Sequence, residues 1–302
     1  MYKIFMFMSN ASLFWNVPYK IHKKLFARGY PVCEFCVKHG EGKKWYENMR
    51  NYSEEVFHQV NSEDHLKEYL SHFYHSLTVE VQRAYAWKKR LPHSYRLLAY
   101  PLVTKRLKKT HFGQIVPIED IEHLLDKFST LVRLPCICRK ASTGKEKRYC
   151  FGVGMDLTPI FRDVPDFSDF DRLSANEAKT IIRQLDDEGQ THSLWTFNTP
   201  FIAALCNCDR DCMAYRFEVK MQLGKVMWKG EYVADIDYAV CDGCRECLKR
   251  CYFSAIRYDR LNKKCSVKAE NCYGCGICRA VCKHHAVRLV DRVGIPHLAH
   301  AW

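Results

Sequence analysis

Cys241-Asp242-Gly243-Cys244-Arg245-Glu246-Cys247-Leu248-Lys249-Arg250-Cys251 and, 31 residues on, Cys272-Tyr273-Gly274-Cys275-Gly276-Ile277-Cys278-Arg279-Ala280-Val281-Cys282 decide how the end of this 302-residue chain folds. Both stretches read C-x2-C-x2-C-x3-C. Three thiolates on one short loop can turn toward a common centre, while the fourth, one helical turn later, points away toward a second. This spacing wraps a cube of iron and sulfide, so two runs in tandem predict two [4Fe–4S] clusters. The predicted ligand sets are crossed: Cys241, Cys244 and Cys247 with Cys282, and Cys272, Cys275 and Cys278 with Cys251. Gly243, Gly274 and Gly276 stand where the loops must bend and the backbone must come close, with their N–H groups able to donate to sulfur. Cys265 lies between the runs and reads as a strand residue. C-x2-C pairs also build zinc sites, but those want four ligands in two pairs, whereas here there are two full sets of four. Disulfides would need an oxidising compartment that nothing in the sequence marks.

With these residues in view, the segment from Tyr232 to Val293 resembles bacterial-type ferredoxins with two [4Fe–4S] clusters. The resemblance implies strand, cluster loop, short helix and strand in each half: Tyr232–Ile236 then Ala255–Tyr258, and Cys265–Val267 then Val287–Val290. That family usually has proline after the fourth cysteine of each run. Here Tyr252 and Lys283 stand there, which leaves the ligands in place and alters the turn and the local charge.

Of the chain's 17 cysteines, a second concentration precedes these runs. Pro135-Cys136-Ile137-Cys138-Arg139 is followed by Cys150, and Cys206-Asn207-Cys208-Asp209-Arg210-Asp211-Cys212 closes the set. Between them Ser174 and Glu177 form a capping box, Ala178, Ile181, Ile182 and Leu185 give a helix one apolar face, and Gly189 ends it. His192–Phe197 then alternates like a strand that Pro200 stops. Two separated segments that each bring thiolates predict a third metal centre, an iron–sulfur cluster held by four or more of Cys136, Cys138, Cys150, Cys206, Cys208 and Cys212. Zinc and buried structural cysteines are the alternatives. Arg139, His192 and Asn198 are the polar residues expected nearby. The order PCxCR, cysteine, helix, histidine, CNC and twin cluster runs resembles a family of fused 4Fe–4S-binding proteins of anaerobic microbes over residues 98–293. Members often carry a fuller cysteine cluster after CNC, where Asp209 and Arg210 intervene here. Cys33 and Cys36 form a lone C-x2-C with His39 nearby.

The formal charge of +13 shrinks once clusters are counted, because a cube with four thiolates carries about −2 when oxidised. The holoprotein stays basic. This points to an acidic redox partner protein or a larger oxidoreductase complex, with nucleic acid and an anionic membrane surface as alternatives. The cations are dispersed (Lys88–Arg90, Lys105–Lys109, Lys145–Arg148, Lys263–Lys264), as solvated faces are. The apolar run Ile4–Met8 is interrupted by Ser9, Asn10 and Ser12, and no stretch reaches the length of a membrane span, so a cytoplasmic chain is expected, in a setting poor in oxygen.

The expected fold class is α+β: a mixed helical and α+β N-terminal region followed by a ferredoxin-type (βαβ)2 two-cluster module. Three segments are expected, a helical region 1–95, a cysteine-containing α+β domain 96–225 and the ferredoxin domain 226–302. Tyr46–Val60 and Asp64–Arg90 carry apolar residues at helical spacing (Leu66, Leu70, Phe73, Leu77, Val81), with Pro92 as a stop and His58, His65, His72 and His75 as wet histidines. Leu97–Val103 reads as a strand around Pro101, and Pro117-Ile118-Glu119-Asp120 opens a helix. Gly144-Lys145 lacks the earlier glycine of a phosphate loop, since Arg139 stands there. Gly152-Val153-Gly154 lacks the third glycine of a dinucleotide fingerprint, where Leu157 stands. No C-x3-C-x2-C run marks radical chemistry. The expectation is an electron-transfer protein or subunit, with no catalytic residue assigned. A reductase with its substrate at the third centre and a redox-responsive nucleic-acid binder are the alternatives.

Overall fold

Leu66 and Leu70, one helical turn apart, are buried, and the chain is helical from Glu63 to Arg90 in the computed structural model, which describes residues 44–295 and 297–298. Cys33, Cys36 and His39 lie outside the described residues. Two single turns (Trp45–Glu47, Met49–Tyr52) lead into α1 (Glu54–Val60), so the helix expected from Tyr46 starts late. Asn48 and Ser53 accept backbone N–H bonds there and cap short pieces instead of letting one helix run through. Then come α2 (Glu63–His75), a π turn (Ser76–Glu80) and α3 (Val81–Arg90). His58, His72 and His75 face solvent, as expected.

Leu97–Val103 is not a strand. It lies in a helical stretch made of α4 (Pro92–Ser94), a π turn (Tyr95–Ala99) and α5 (Tyr100–Thr110). Pro101 sits in the first turn of α5, where a missing N–H costs nothing, and Tyr95 and Ala99 bury the inner face while Leu97, Leu98 and Leu102 stay exposed. A short apolar run reads as either element when its inner partners are unknown.

A seven-stranded sheet follows: β1 (Gly113–Ile115), β2 (Leu131–Leu134), β3 (Cys150–Val153), β4 (Asp171–Arg172), β5 (Thr191–Thr196), β6 (Ile202–Cys208) and β7 (Met227–Trp228), in the order β4-β2-β3-β6-β5-β1-β7. β1·β7 is parallel and the other pairs are antiparallel. Strand side chains alternate between faces. Phe151, Val153, Leu194 and Leu205 therefore share one core with α6 (Ile118–Leu125) and α9 (Ala175–Asp187), the latter through Ala178, Ile182 and Leu185. Ser174 and Glu177 cap α9 reciprocally, a device worth about 1 kcal/mol. The other face packs on α1 and α2, on α7 (Ile137–Thr143) and on α8 (Thr158–Arg162). A short α10 (Met213–Tyr215) runs into a π turn (Arg216–Lys220). No helix among the described residues is long and apolar enough to cross a membrane.

His111 sits among the rings of Tyr69, Phe73, Trp195 and Phe197 and donates Nδ1–H to the Thr196 carbonyl at 2.8 Å. Burial lowers it to about 4. The unfolded chain binds this proton near pH 6.5, so stability is full above that value and is lost as pH falls toward 4. Chemical denaturation across this window should show a loss of up to about 1.4 kcal/mol per pH unit that a His111→Gln variant lacks. Equal slopes would refute it.

The last segment is a two-fold repeat. β8 (Tyr232–Ile236), α11 (Glu246–Arg250) and β9 (Ile256–Asp259) are followed by β10 (Lys264–Val267), α12 (Ile277–Ala280) and β11 (Val287–Asp291). The strands pair crosswise, β8 with β11 and β9 with β10, both antiparallel. Backbone conformation repeats at the same 31-residue offset: φ is +76° at Gly243 and +74° at Gly274, +66° at Arg245 and +82° at Gly276, +55° at Ser254 and +53° at His285. The α+β class agrees with expectation, and within this repeat the strand positions do so to within about a residue.

Candidate metal centres

In the repeat module, loop geometry aims backbone donors at sulfur. Ala234 N–H donates to Cys272 Sγ at 3.3 Å and Cys265 N–H to Cys241 Sγ at 3.5 Å. Ala255 N–H reaches Cys251 Sγ and Ala286 N–H reaches Cys282 Sγ, both at 3.3 Å. Each pair is related by the 31-residue offset. One cavity is lined by Cys241, Cys244, Cys247 and Cys282 together, which is the first crossed set. Cys251 lies close enough to Cys272, Cys275 and Cys278 for its charge to act on all three. Burial pushes the Cys247 thiol up to about 12. Cys265 is a buried β10 residue, as expected, and also faces the first cavity.

Gly243 and Gly274 are needed twice over, for their positive φ and because a Cβ would collide with the Lys263 and Tyr232 carbonyl oxygens. Gly274→Ala should lower the unfolding midpoint by more than the strain of a left-handed residue, about 1–2 kcal/mol, would predict. Thermal denaturation followed by circular dichroism reads this, and an unchanged midpoint would refute it.

Six further cysteines meet on one face of the large sheet. β3 and β6 set Cys150 opposite Cys206, and strand periodicity puts Cys208 on the same face. Cys136 caps α7 with its Sγ 3.4 Å from Cys150 Sγ and accepts the Tyr149 N–H at 3.0 Å. Cys138 follows in the first turn of α7. Cys212 stands at the N-cap position of α10, close to Cys208. Arg139, almost wholly buried, spans this group. It donates to both carboxylate oxygens of Asp209 (2.8 and 2.7 Å), to Gln190 Oε1 (3.1 Å) and to Cys212 Sγ (3.3 Å). Its Nε–H is buried with no hydrogen-bond partner among the described residues. The neighbouring Cys208 and, against burial, the Arg139 charge draw the Cys212 thiol below its ordinary value. Burial holds Cys138 well above.

The expected polar neighbours divide. Arg139 belongs to the thiol pocket. His192 does not: alternation puts it on the opposite face, where it bonds Asn207 Oδ1 at 2.6 Å and Asp186 of α9 at 3.3 Å. Asn207 in turn donates to the Tyr149 carbonyl, so this pair braces the strands behind the thiols. Asn198 bonds the Val60 carbonyl and Asn61 Oδ1, anchoring the loop before β6 to the end of α1. Among the described residues no three of His, Cys, Asp or Glu converge as ligands of a single ion. Thiolates on the separate irons of a cube stand farther apart than ligands of one ion, and Cys136 and Cys150, with sulfurs 3.4 Å apart, stand too close to serve two irons of one cube as they are placed.

The thiol pocket adjoins the end of the first cysteine run, where Cys251 is the residue expected to reach across to the second set. Arg210 donates to the Lys249 carbonyl at 2.9 Å and to the Cys251 carbonyl at 3.5 Å, and its guanidinium lies over the Tyr252 ring. Tyr252, which stands where proline was expected, donates to the Gly189 carbonyl at 2.6 Å and accepts from Tyr215 through its own carbonyl at 3.0 Å. Two positions escaped sequence reasoning. Arg292 is fully buried and donates to the carbonyls of Gly230, Tyr232 and Cys272, which fixes the start of the second loop. Glu218 accepts the N–H groups of Val226 and Met227 and the Tyr273 hydroxyl. Both are charged residues with no motif around them, and only their burial marks them. No protein-family model and no curated protein matches this chain.

Proposed function

We propose that this chain is an electron-transfer protein or subunit that holds two [4Fe–4S] clusters, through Cys241, Cys244, Cys247 and Cys282 and through Cys272, Cys275, Cys278 and Cys251, and a further iron–sulfur centre in the six-thiol pocket. When bound, such clusters each take up and release one electron. The protein's share is to supply thiolates, to direct N–H groups at their sulfurs and to keep water out, all of which tune potential. The observation that carries this reading is the 31-residue recurrence of N–H···S bonds around crossed sets of four cysteines. A plain structural repeat has no need to aim donors at thiols in pairs.

For the six-thiol pocket, support comes from Arg139. A buried guanidinium is costly unless anions neutralise it, and Asp209 supplies one charge. An Nη2–H on Cys212 and an unpaired Nε–H beside six sulfurs suit a pocket that holds a negatively charged centre. Anaerobically purified protein should contain about twelve irons and twelve acid-labile sulfides per chain, with low-potential EPR signals on reduction. About eight would confine the metal to the repeat module. None would end the reading.

A further inference from the structure

The two-fold repeat is broken at the loops themselves. Between their first three cysteines the first loop carries Asp242, Arg245 and Glu246, and the second carries Tyr273, Gly276 and Ile277 at the matching positions. The fold follows this difference. Cys244 and its neighbours Asp242, Arg245 and Glu246 are exposed, whereas Gly274, Cys275, Gly276 and Ile277 are buried. Cys275 and Ile277 join a core with Ile115, Trp195, Tyr215 and Met227. Phe253 and Tyr273 stack at 3.9 Å beside it.

We propose that the loops have different tasks, a deduction that rests on the two-cluster reading. The Cys244 loop is the port where a small acidic electron-carrier protein docks, and the Cys275 loop is the inner station that serves the six-thiol pocket. One electron leaves the reduced carrier and enters at the Cys244 loop, with no bond made or broken and no proton transferred.

The surface around Cys244 suits that partner. Gly243 packs on the Lys263 carbonyl, which brings the β9–β10 turn alongside the loop. That turn exposes Leu261 almost fully (93%), and Val240 is exposed just before Cys241. Arg245 on the loop, Arg260 and Lys263 on the β9–β10 turn and Lys283 next to Cys282 are all exposed. The acids in the loop have partners within the chain, Asp242 in His284 at 3.0 Å and Glu246 in Lys249 at 2.5 Å. An apolar centre in a cationic rim is complementary to an acidic protein, and such charge acts mainly on association rate. On the inner side, Arg210 holds the Cys251 carbonyl two residues from Cys212, and Tyr215 and Tyr252 close the gap. Among the described residues no comparable cover lies over Cys244.

The test uses the full holoprotein at half reduction, with EPR recorded in the presence of the trianionic relaxer tris(oxalato)chromate(III). One of the two cluster signals should be broadened several-fold more than the other, and the surface variant R245E/K283E should relieve that broadening with iron content unchanged. The same variant should slow reduction of the protein by a reduced flavodoxin, a small acidic carrier, by about tenfold or more at low salt. Equal broadening of both signals, or a variant that alters neither signal, would overturn the asymmetry. An unchanged flavodoxin rate would overturn the acidic partner. Absence of any cubane signal from the wild type would remove the two-cluster reading itself, and this proposal with it.

Discussion

Cys275→Ser should abolish one of two low-potential EPR signals, remove about four irons per chain and lower the unfolding midpoint, while Cys244→Ser should remove a similar amount of iron with less effect on the midpoint. The two residues are related by the repeat, so the chemistry lost is the same. Their surroundings are not. Cys275 is buried against Ile115, Trp195 and Tyr215, and its loop docks on Tyr232 and Arg292. Emptying a centre there leaves Cys272 and Cys278 buried, Cys251 half-buried and a void beside Ile115 and Trp195, and these cost free energy. Cys244 is exposed on a loop of charged residues that can relax into water. Iron analysis, EPR and thermal denaturation on the two variants read all three effects. Full signal amplitude in Cys275→Ser would refute the ligand assignment.

The second large effect is expected at Arg139. Arg139→Met should cost on the order of 3 kcal/mol and empty the six-thiol pocket, so that iron falls from about twelve to about eight while both repeat-module signals keep their amplitude. The guanidinium holds Asp209, Gln190 and Cys212 at once. Without it Asp209 keeps only backbone and amide donors, and the thiols lose the cation that offsets their charge. Arg139→Lys should recover part of the stability and little of the iron, because a single ammonium group cannot serve a fork of three partners. Denaturant unfolding and iron analysis of both variants test this. Wild-type iron content in Arg139→Met would separate Arg139 from the pocket's metal.

These expectations draw on different layers of information. The bends of the two cysteine loops were legible because C-x2-C-x2-C-x3-C acts within one loop and one helical turn, and such local geometry survives any context. The capping box at Ser174 and Glu177 and the apolar face of α9 were legible for the same reason. Leu97–Val103 was misread because the residues that make it a helix are its distant packing partners.

By itself, then, the sequence determined the bends of the two cysteine loops, their 31-residue symmetry, the capped helix and the strand that carries His192. Tertiary structure alone decided the rest. Strand register brought Cys150 opposite Cys206, and alternation turned Asn207 away from the thiols that flank it in sequence, onto the face of His192. Packing buried one loop of a symmetric pair and left the other in water. The physical reason is range: a spacing motif fixes the directions of neighbours along the chain, but burial and face are set by segments that only the folded sheet brings together.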